Sequence, residues 1–381
     1  MPLTAVPART NGMPNPGLEG VLALESSICF IDGKQGELVY RGYDIDSLAR
    51  HVSFEETAYL LWNGILPSRG QLEDLQARLC AERTLPSMVL DVLRLTPRDA
   101  SPMAVLRTCV SAMAHFDGEA DDMSPESNYR KALRLTARIP VIIAAFARLR
   151  SGRDPVAPLT AGSTAHNFLH MLSGESPGPQ AEKTLDSSLV LHAEHSLNAS
   201  TFSGRVIGST LADIYAAVTG AIGALSGPLH GGANVRVMQM LLALDLSGEH
   251  PGDYVRARLT RKERIMGFGH RVYKVVDPRA TILREMMVNL ARERNAEKWV
   301  TLCSEIRRVM ETEKGLSPNV DFYTAPIYYM LGIDVDLYTP LFVMSRISGW
   351  TAHLLEQWQA NRLIRPRARY TGPRHQRLAP R

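Results

Sequence analysis

Residues 185–225, LDSSLVLHAEHSLNASTFSGRVIGSTLADIYAAVTGAIGAL, decide the fold class. The stretch predicts nearly continuous helix, interrupted near Asn198–Gly204. Its second half mixes Val206, Ile207, Leu211, Ile214, Val218 and Ile222 with many alanines and glycines. A helix that is apolar around most of its girth and small in profile belongs in the middle of a helical domain, closely packed by its neighbours. Asp213, Arg205 and the modest hydrophobicity argue against a membrane span.

Outward from this stretch the punctuation stays helical. Ser53-x-x-Glu56 and Ser68-x-x-Gln71 are capping boxes, and Gly64 ends the first helix. Ser101-Pro102 starts a helix towards His115. Ser124-Pro125 starts a long one, kinked near Pro140 and stopping around Gly152. Residues 153–162 predict a loop, and a short helix through Phe168 and Leu172 ends at Gly174. Further helices are expected over about 231–246, 253–265, 278–293, 296–312, 320–330 and 340–358. Asp277-Pro278 and Thr339-Pro340 each suggest a cap followed by proline in the first turn. The clear strand signal is Ile28–Ile31 with Glu37–Tyr40, a hairpin about a glycine-bearing turn. The expected fold is mainly α with a small N-terminal β-hairpin. Its expected domains are a large one of residues 1–223 completed by 332–381, and a smaller insert of 224–331. Gly223, Gly227 and Gly332 are the hinge candidates.

Composition narrows the function classes. The 381 residues are 45% apolar and 22% charged, enough for a sizeable core in a soluble protein. A formal charge of +4 is too small and scattered for nucleic acid, yet it suits anionic small molecules where arginines converge. Four cysteines at 29, 80, 109 and 303 form no CxxC pair, so neither a zinc site nor a disulfide framework is indicated. That usage fits a reducing, cytoplasmic setting. Residues 1–17 hold four prolines and read as a disordered arm rather than a signal peptide. The run Arg362–Arg381 is basic and reads as a solvated tail. No run approaches the roughly 18 apolar residues of a membrane helix.

Chemistry concentrates in four clusters. Ile265–Arg279, IMGFGHRVYKVVDPR, presents His270 at a bend made by Gly267 and Gly269. Arg279 falls in a helix first turn, where the dipole does not help a cation. An anionic ligand is the simplest reason for placing it there; an ordinary charged loop is the alternative. In LHAEHSLNAS, His192 and His195 share a helix face. A third ligand and the HExxH order are missing, so a metal site is not expected. One histidine is expected to be structural, and the one nearer the helix break to meet a ligand. In SGPLHGGAN, His230 stands beside Gly231 and Gly232, where a bulky ligand could approach the backbone. Asp321 opens a helix rich in aromatics, as either a base of raised pKa or a simple first-turn aspartate. Two histidines, one aspartate and several arginines suggest proton abstraction beside a carbonyl on a carboxylate substrate.

These clusters resemble the citrate synthase family in order and spacing. So do RGYDI, HAEHSLNAST, PNVDF and SRISGWTAHLLEQ…RLIRPRARYTGP, over about residues 17–375. The resemblance implies a two-domain citrate synthase-like helical fold and a condensation of acetyl-CoA with oxaloacetate, followed by hydrolysis to citrate and CoA. It implies Asp321 as the base, His230 stabilising the enol and His270 activating the ketone. It implies His195, Arg279, Arg346 and Arg365 on oxaloacetate, with Arg365 reaching the partner's site in a homodimer. CoA, a co-substrate with no tightly bound cofactor beside it, would lie against 225–235 and 265–275. Lys274, Arg271 and Lys262 would meet it there, with Gly267 and Gly269 giving clearance. A chain of this short type is expected to be a dimer without the NADH site of longer bacterial members. The nearest rival is 2-methylcitrate synthase, which takes propionyl-CoA with the same machinery; one methyl group separates the two. ATP-citrate lyase would need further regions. A non-catalytic CoA-binding protein would lack His230, His270 and Asp321.

Overall fold

The computed structural model describes residues 15–377. The expected arm at 1–17 therefore lies largely outside the described residues, as does the end of the basic tail. Among the described residues the protein is helical apart from one three-stranded antiparallel sheet. Cys29–Asp32 pairs with Glu37–Tyr40, with Cys29 opposite Tyr40, and the short strand Tyr43–Asp44 adds to the second. No helix among the described residues is long and apolar enough to cross a membrane.

Local chemistry sets most boundaries. Both capping boxes form, Ser53 with Glu56 ahead of Phe54–Asn63 and Ser68 with Gln71 ahead of Arg69–Glu82. Asp277 caps Pro278–Glu293 by accepting from Arg279 N–H. Pro125–Arg150 runs through Pro140 as one helix. The helix Ser87–Leu95 is an addition to the sequence expectation.

Residues 185–225 resolve into three helices rather than two. The first, Pro179–His192, ends before the expected interruption. Residues 193–198 form the break, and Asn198 caps Ala199–Gly208 from outside, accepting from Ser200 and Thr201 N–H. A second break at 209–213 precedes Ile214–Leu225, capped by Asp213. Ala199–Gly208 and Ile214–Leu225 lie against each other. Their small residues set the approach, since a Cβ on Gly220 would stand 2.1 Å from Ile207. Ile214, Val218 and Ile222 are fully buried.

The last helix, Tyr338–Gln359, is the central post and packs on Pro125–Arg150, Ala199–Gly208 and Phe54–Asn63. It begins two residues before the expected Pro340 because a 3-10 turn, Val335–Leu337, feeds straight into it. Thr339 is thus inside the helix and not its cap. Pro251–Thr260 is shorter than expected and ends ahead of the histidine loop.

Candidate active site

A cavity of ≈ 630 Å³ opens between the Tyr338–Gln359 helix and the loops at 195–199, 229–234 and 269–272. His195, His230, His270, Arg279, Asp321 and Arg346 all line it, although they are scattered over 152 positions of sequence from His195 to Arg346.

The histidine loop and the aspartate helix are tied together. Gly269 N–H donates to Ser317 O, and Asn319 N–H donates to Gly267 O. The Asn319 amide donates to Gly269 O at 2.9 Å, while its Oδ1 accepts from Asp321 N–H at 3.0 Å. One asparagine therefore fixes the spacing between the bend carrying His270 and the helix carrying Asp321. The other flank of the loop rests on the N-terminal hairpin. Lys274 N–H donates to Gly33 O at 2.7 Å, and a Cβ on Gly33 would stand 2.2 Å from Val272 O. Only glycine permits that approach.

Hydrogen bonds assign the tautomers of both candidate catalytic histidines. His270 Nδ1 accepts from Val272 N–H at 3.0 Å and Tyr273 N–H at 3.3 Å. Burial, reinforced by the charge of Arg279, pushes its pKa down to about 4. The ring is neutral near pH 7, with its proton on Nε2. His230 is the mirror case. Its Nε2 accepts from Ser200 N–H at 3.2 Å, and the Ser200 hydroxyl, 2.9 Å away, can donate to the same nitrogen; burial and then Arg346 push its pKa down to about 4, and with Nε2 accepting the proton sits on Nδ1. Two neutral imidazoles thus offer one N–H each. Asp321 differs in sign: burial raises its carboxyl to about 6 against the pull of Arg279.

The two histidines of LHAEHSLNAS separate as expected. His192 is fully buried, its Nδ1–H spent on Ser188 O at 2.7 Å. His195 faces the cavity, 3.2 Å by Nε2 from the Tyr273 hydroxyl, with its ring against His270. Burial, then Arg279 and Arg346, hold it well below the usual histidine range. Among the described residues no group of histidine, cysteine or acidic side chains could hold a metal ion.

The arginines are both buried but differ in company. Arg279 forks onto Asp277, Nε at 3.0 Å and Nη2 at 2.8 Å. Burial is the largest single influence and lowers its basicity, but the charge and hydrogen bonds of Asp277, with smaller contributions from Tyr273 and Tyr40, together raise it above the usual range. The chain itself thus supplies the first anion that Arg279's position calls for, and Nη1 is the nitrogen not committed to Asp277. Arg346 donates Nε–H to His192 O at 2.8 Å and lies over the Phe342 ring, without a carboxylate in ion-pair contact among the described residues. A buried cation with no ion-pair partner in contact suits the cavity to an anion.

The remaining expected residues are less central. Arg271 and Gly269 line the cavity. Lys274 is exposed, its ammonium on Arg271 O at 3.2 Å. Lys262 is an exposed residue of positive φ after Pro251–Thr260 and is not part of the cavity wall. Gly267 corrects the expectation of clearance: a Cβ there would meet Phe322 and Val237, each at 2.9 Å, so its space is taken by packing. Arg365 is exposed in the extended segment after the last helix. Tyr273, Asn319 and Ser200 were not singled out as site residues by sequence reasoning, and Asp277 was read as a helix cap but not as the partner of Arg279. The cap position of Asn319, two before Asp321, was the available signal. Ser200 meets His230 only through the fold.

Comparison with known proteins identifies the family. The family described as "Citrate synthase, C-terminal domain" matches residues 17–367. The chain is 54% identical to the citrate synthase of Haloferax volcanii over 93% of this chain and 95% of that one. It is 43% identical to the citrate/2-methylcitrate synthase of Bacillus subtilis over 95% and 97%. Its fold matches the ternary complex of carboxymethyl coenzyme A and oxaloacetate with Thermoplasma acidophilum citrate synthase. There the TM-score is 0.88 at 30% identity, covering 96% of this chain and 98% of that one. The protein is therefore an acyl-CoA-dependent transferase, of the class that condenses an acyl-CoA with oxaloacetate. The chain belongs to the citrate synthase family.

Proposed function

We propose that this protein is a citrate synthase, condensing acetyl-CoA with oxaloacetate and hydrolysing the product to citrate and CoA. The observation that carries the reading is the pairing of two neutral, oppositely protonated histidines with a carboxyl raised to about 6 in one cavity. The Asp321 carboxylate takes a methyl proton from acetyl-CoA. His230 Nδ1–H donates to the thioester oxygen as charge develops there, which favours the enol. The enol carbon forms a bond to the ketone carbon of oxaloacetate, and His270 Nε2–H gives its proton to the ketone oxygen. Water then cleaves the thioester, releasing citrate and CoA.

Oxaloacetate is held by His195, Arg279 and Arg346, with Arg365 contributed by the other subunit of a homodimer. Forked guanidinium–carboxylate contacts would fix its orientation. CoA follows the 225–235 and 265–275 loops past Arg271 and Lys274. In this reading residues 224–331 form a smaller domain that closes over bound oxaloacetate and excludes water before the enol forms. Thiol release from acetyl-CoA plus oxaloacetate tests the proposal, and Asp321→Ala should lower it by about two to four orders of magnitude. Undiminished turnover in that variant would remove Asp321 as the base. A higher kcat/KM for propionyl-CoA than for acetyl-CoA would make the protein a 2-methylcitrate synthase instead.

A further inference from the structure

Behind the arginine wall lies a buried array that the chemistry above does not use. Glu194, the residue before His195, is fully buried. Its Oε1 is 3.1 Å from His353 Nε2, and His353 Nδ1 is 3.0 Å from Arg205 Nη1. A guanidinium only donates, so His353 Nδ1 accepts and its proton sits on Nε2, directed to Glu194. The array has a single polarity, from Arg205 through His353 to Glu194. Arg205 has its own partner in Glu356, at 2.7 Å. Glu194 Oε2 has no hydrogen-bond partner among the described residues. A Cβ on Gly349 would stand 2.2 Å from that oxygen, so position 349 is kept open for this carboxylate. The Tyr40 hydroxyl donates to Glu194 O at 2.7 Å, anchoring the turn that presents His195.

Charge explains the placement. Asp277 answers Arg279 as an ion pair, whereas Arg346 has no carboxylate in ion-pair contact among the described residues. Arg346 stands one turn before Gly349 on the Tyr338–Gln359 helix, and Glu194 Oε2 lies against Gly349. Burial pulls the Arg346 guanidinium below its usual range, and Glu194 is foremost among the groups opposing that pull. We infer that Glu194 is the counter-charge of Arg346, a positioning residue that keeps this cation buried beside the cleft and sets how strongly the cleft attracts a dicarboxylate. The inference rests on the reading that Arg346 holds oxaloacetate. Two arginines with Asp277 and Glu194 sum to zero charge; without the Glu194 charge the sum is +1. Citrate carries one more carboxylate than oxaloacetate, so a counter-charge behind Arg346 also favours product release.

Glu194→Gln keeps the shape and an acceptor for His353 while removing the charge. KM for oxaloacetate should fall by about threefold or more, since an unscreened interior charge acts over several ångströms. KM for acyl-CoA should not change. An unchanged or higher KM for oxaloacetate would overturn the inference. Should that variant not fold, His353 offers a second route. His353→Gln can still accept from Arg205 and donate to Glu194, and should keep the wild-type KM. His353→Leu removes the donor that holds the Glu194 carboxylate in place, loosens its hold on Arg346 and should lower KM as Glu194→Gln does. Equal values in the two His353 variants would overturn it. Arg346→Gln separates the two ideas. If it leaves KM for oxaloacetate unchanged, the substrate site is misread. If it raises KM while Glu194→Gln has no effect, only the counter-charge fails.

Discussion

On one side of the cleft Arg279 and Arg346 are buried to within 2% of full enclosure, one of them locked to Asp277. On the other, His270, His230 and Asp321 are half-buried; backbone N–H groups of Val272, Tyr273 and Ser200 address the two imidazoles, and that of Asn234 addresses the Asp321 carboxyl. The difference follows from what each side must do. A wall that holds carboxylates needs permanent cations, and cations can be buried only with counter-charges or with a ligand. A wall that moves protons needs groups whose charge can change. There the backbone sets tautomers without adding charge, and burial, modulated by the nearby arginines, shifts His230, His270 and Asp321 from their ordinary pKa values.

The contrast can be broken by substitution on each side. The largest effect is expected for His270→Ala, which should lower kcat by about two to four orders of magnitude while moving KM for oxaloacetate little. A change confined to KM would place His270 with the arginines. Arg346→Gln should do the reverse, raising KM for oxaloacetate by roughly ten- to a hundredfold, the loss expected of one charge-assisted contact. Steady-state kinetics with oxaloacetate varied at saturating acetyl-CoA separates the two outcomes.

Titration sharpens the comparison with a smaller effect. In the proposed mechanism Asp321 works as a base only when deprotonated, and its carboxyl is raised to about 6. Its active form is present above that pH and is lost as pH falls through it. The log of kcat/KM should therefore drop by about one per pH unit below the limb. His230 and His270, pushed down to about 4, stay neutral across this window and add no limb of their own there. A limb displaced to ordinary carboxylate values would mean that Asp321 is more solvated than its setting indicates.

Much of this site was legible before the fold was known, because short-range chemistry announced it. The Asp277-Pro278 cap fixed the start of Arg279's helix, and glycines flanking His230 and His270 marked bends rather than helix faces. What sequence could not carry was the identity of long-range partners. The position of Arg279 pointed to an anion, but Asp277, two residues away, is the first one it meets. Gly267 looked like space for a ligand, and only the fold brings Phe322 and Val237 into that space. The helix break after His192 was expected later in the chain because Asn198, an N-cap, belongs to the end of the break and not its beginning. The same limit applied to Arg205, whose role depends on His353 and Glu194, 148 and 11 positions away.

The account turns on two neutral imidazoles of opposite tautomer facing one carboxylate. Nitrogen NMR of histidine-labelled protein at neutral pH reads this directly. It should show His230 protonated only on Nδ1 and His270 only on Nε2. An imidazolium at either position, or the same tautomer at both, would contradict the proposed division of labour between enol stabilisation and ketone activation.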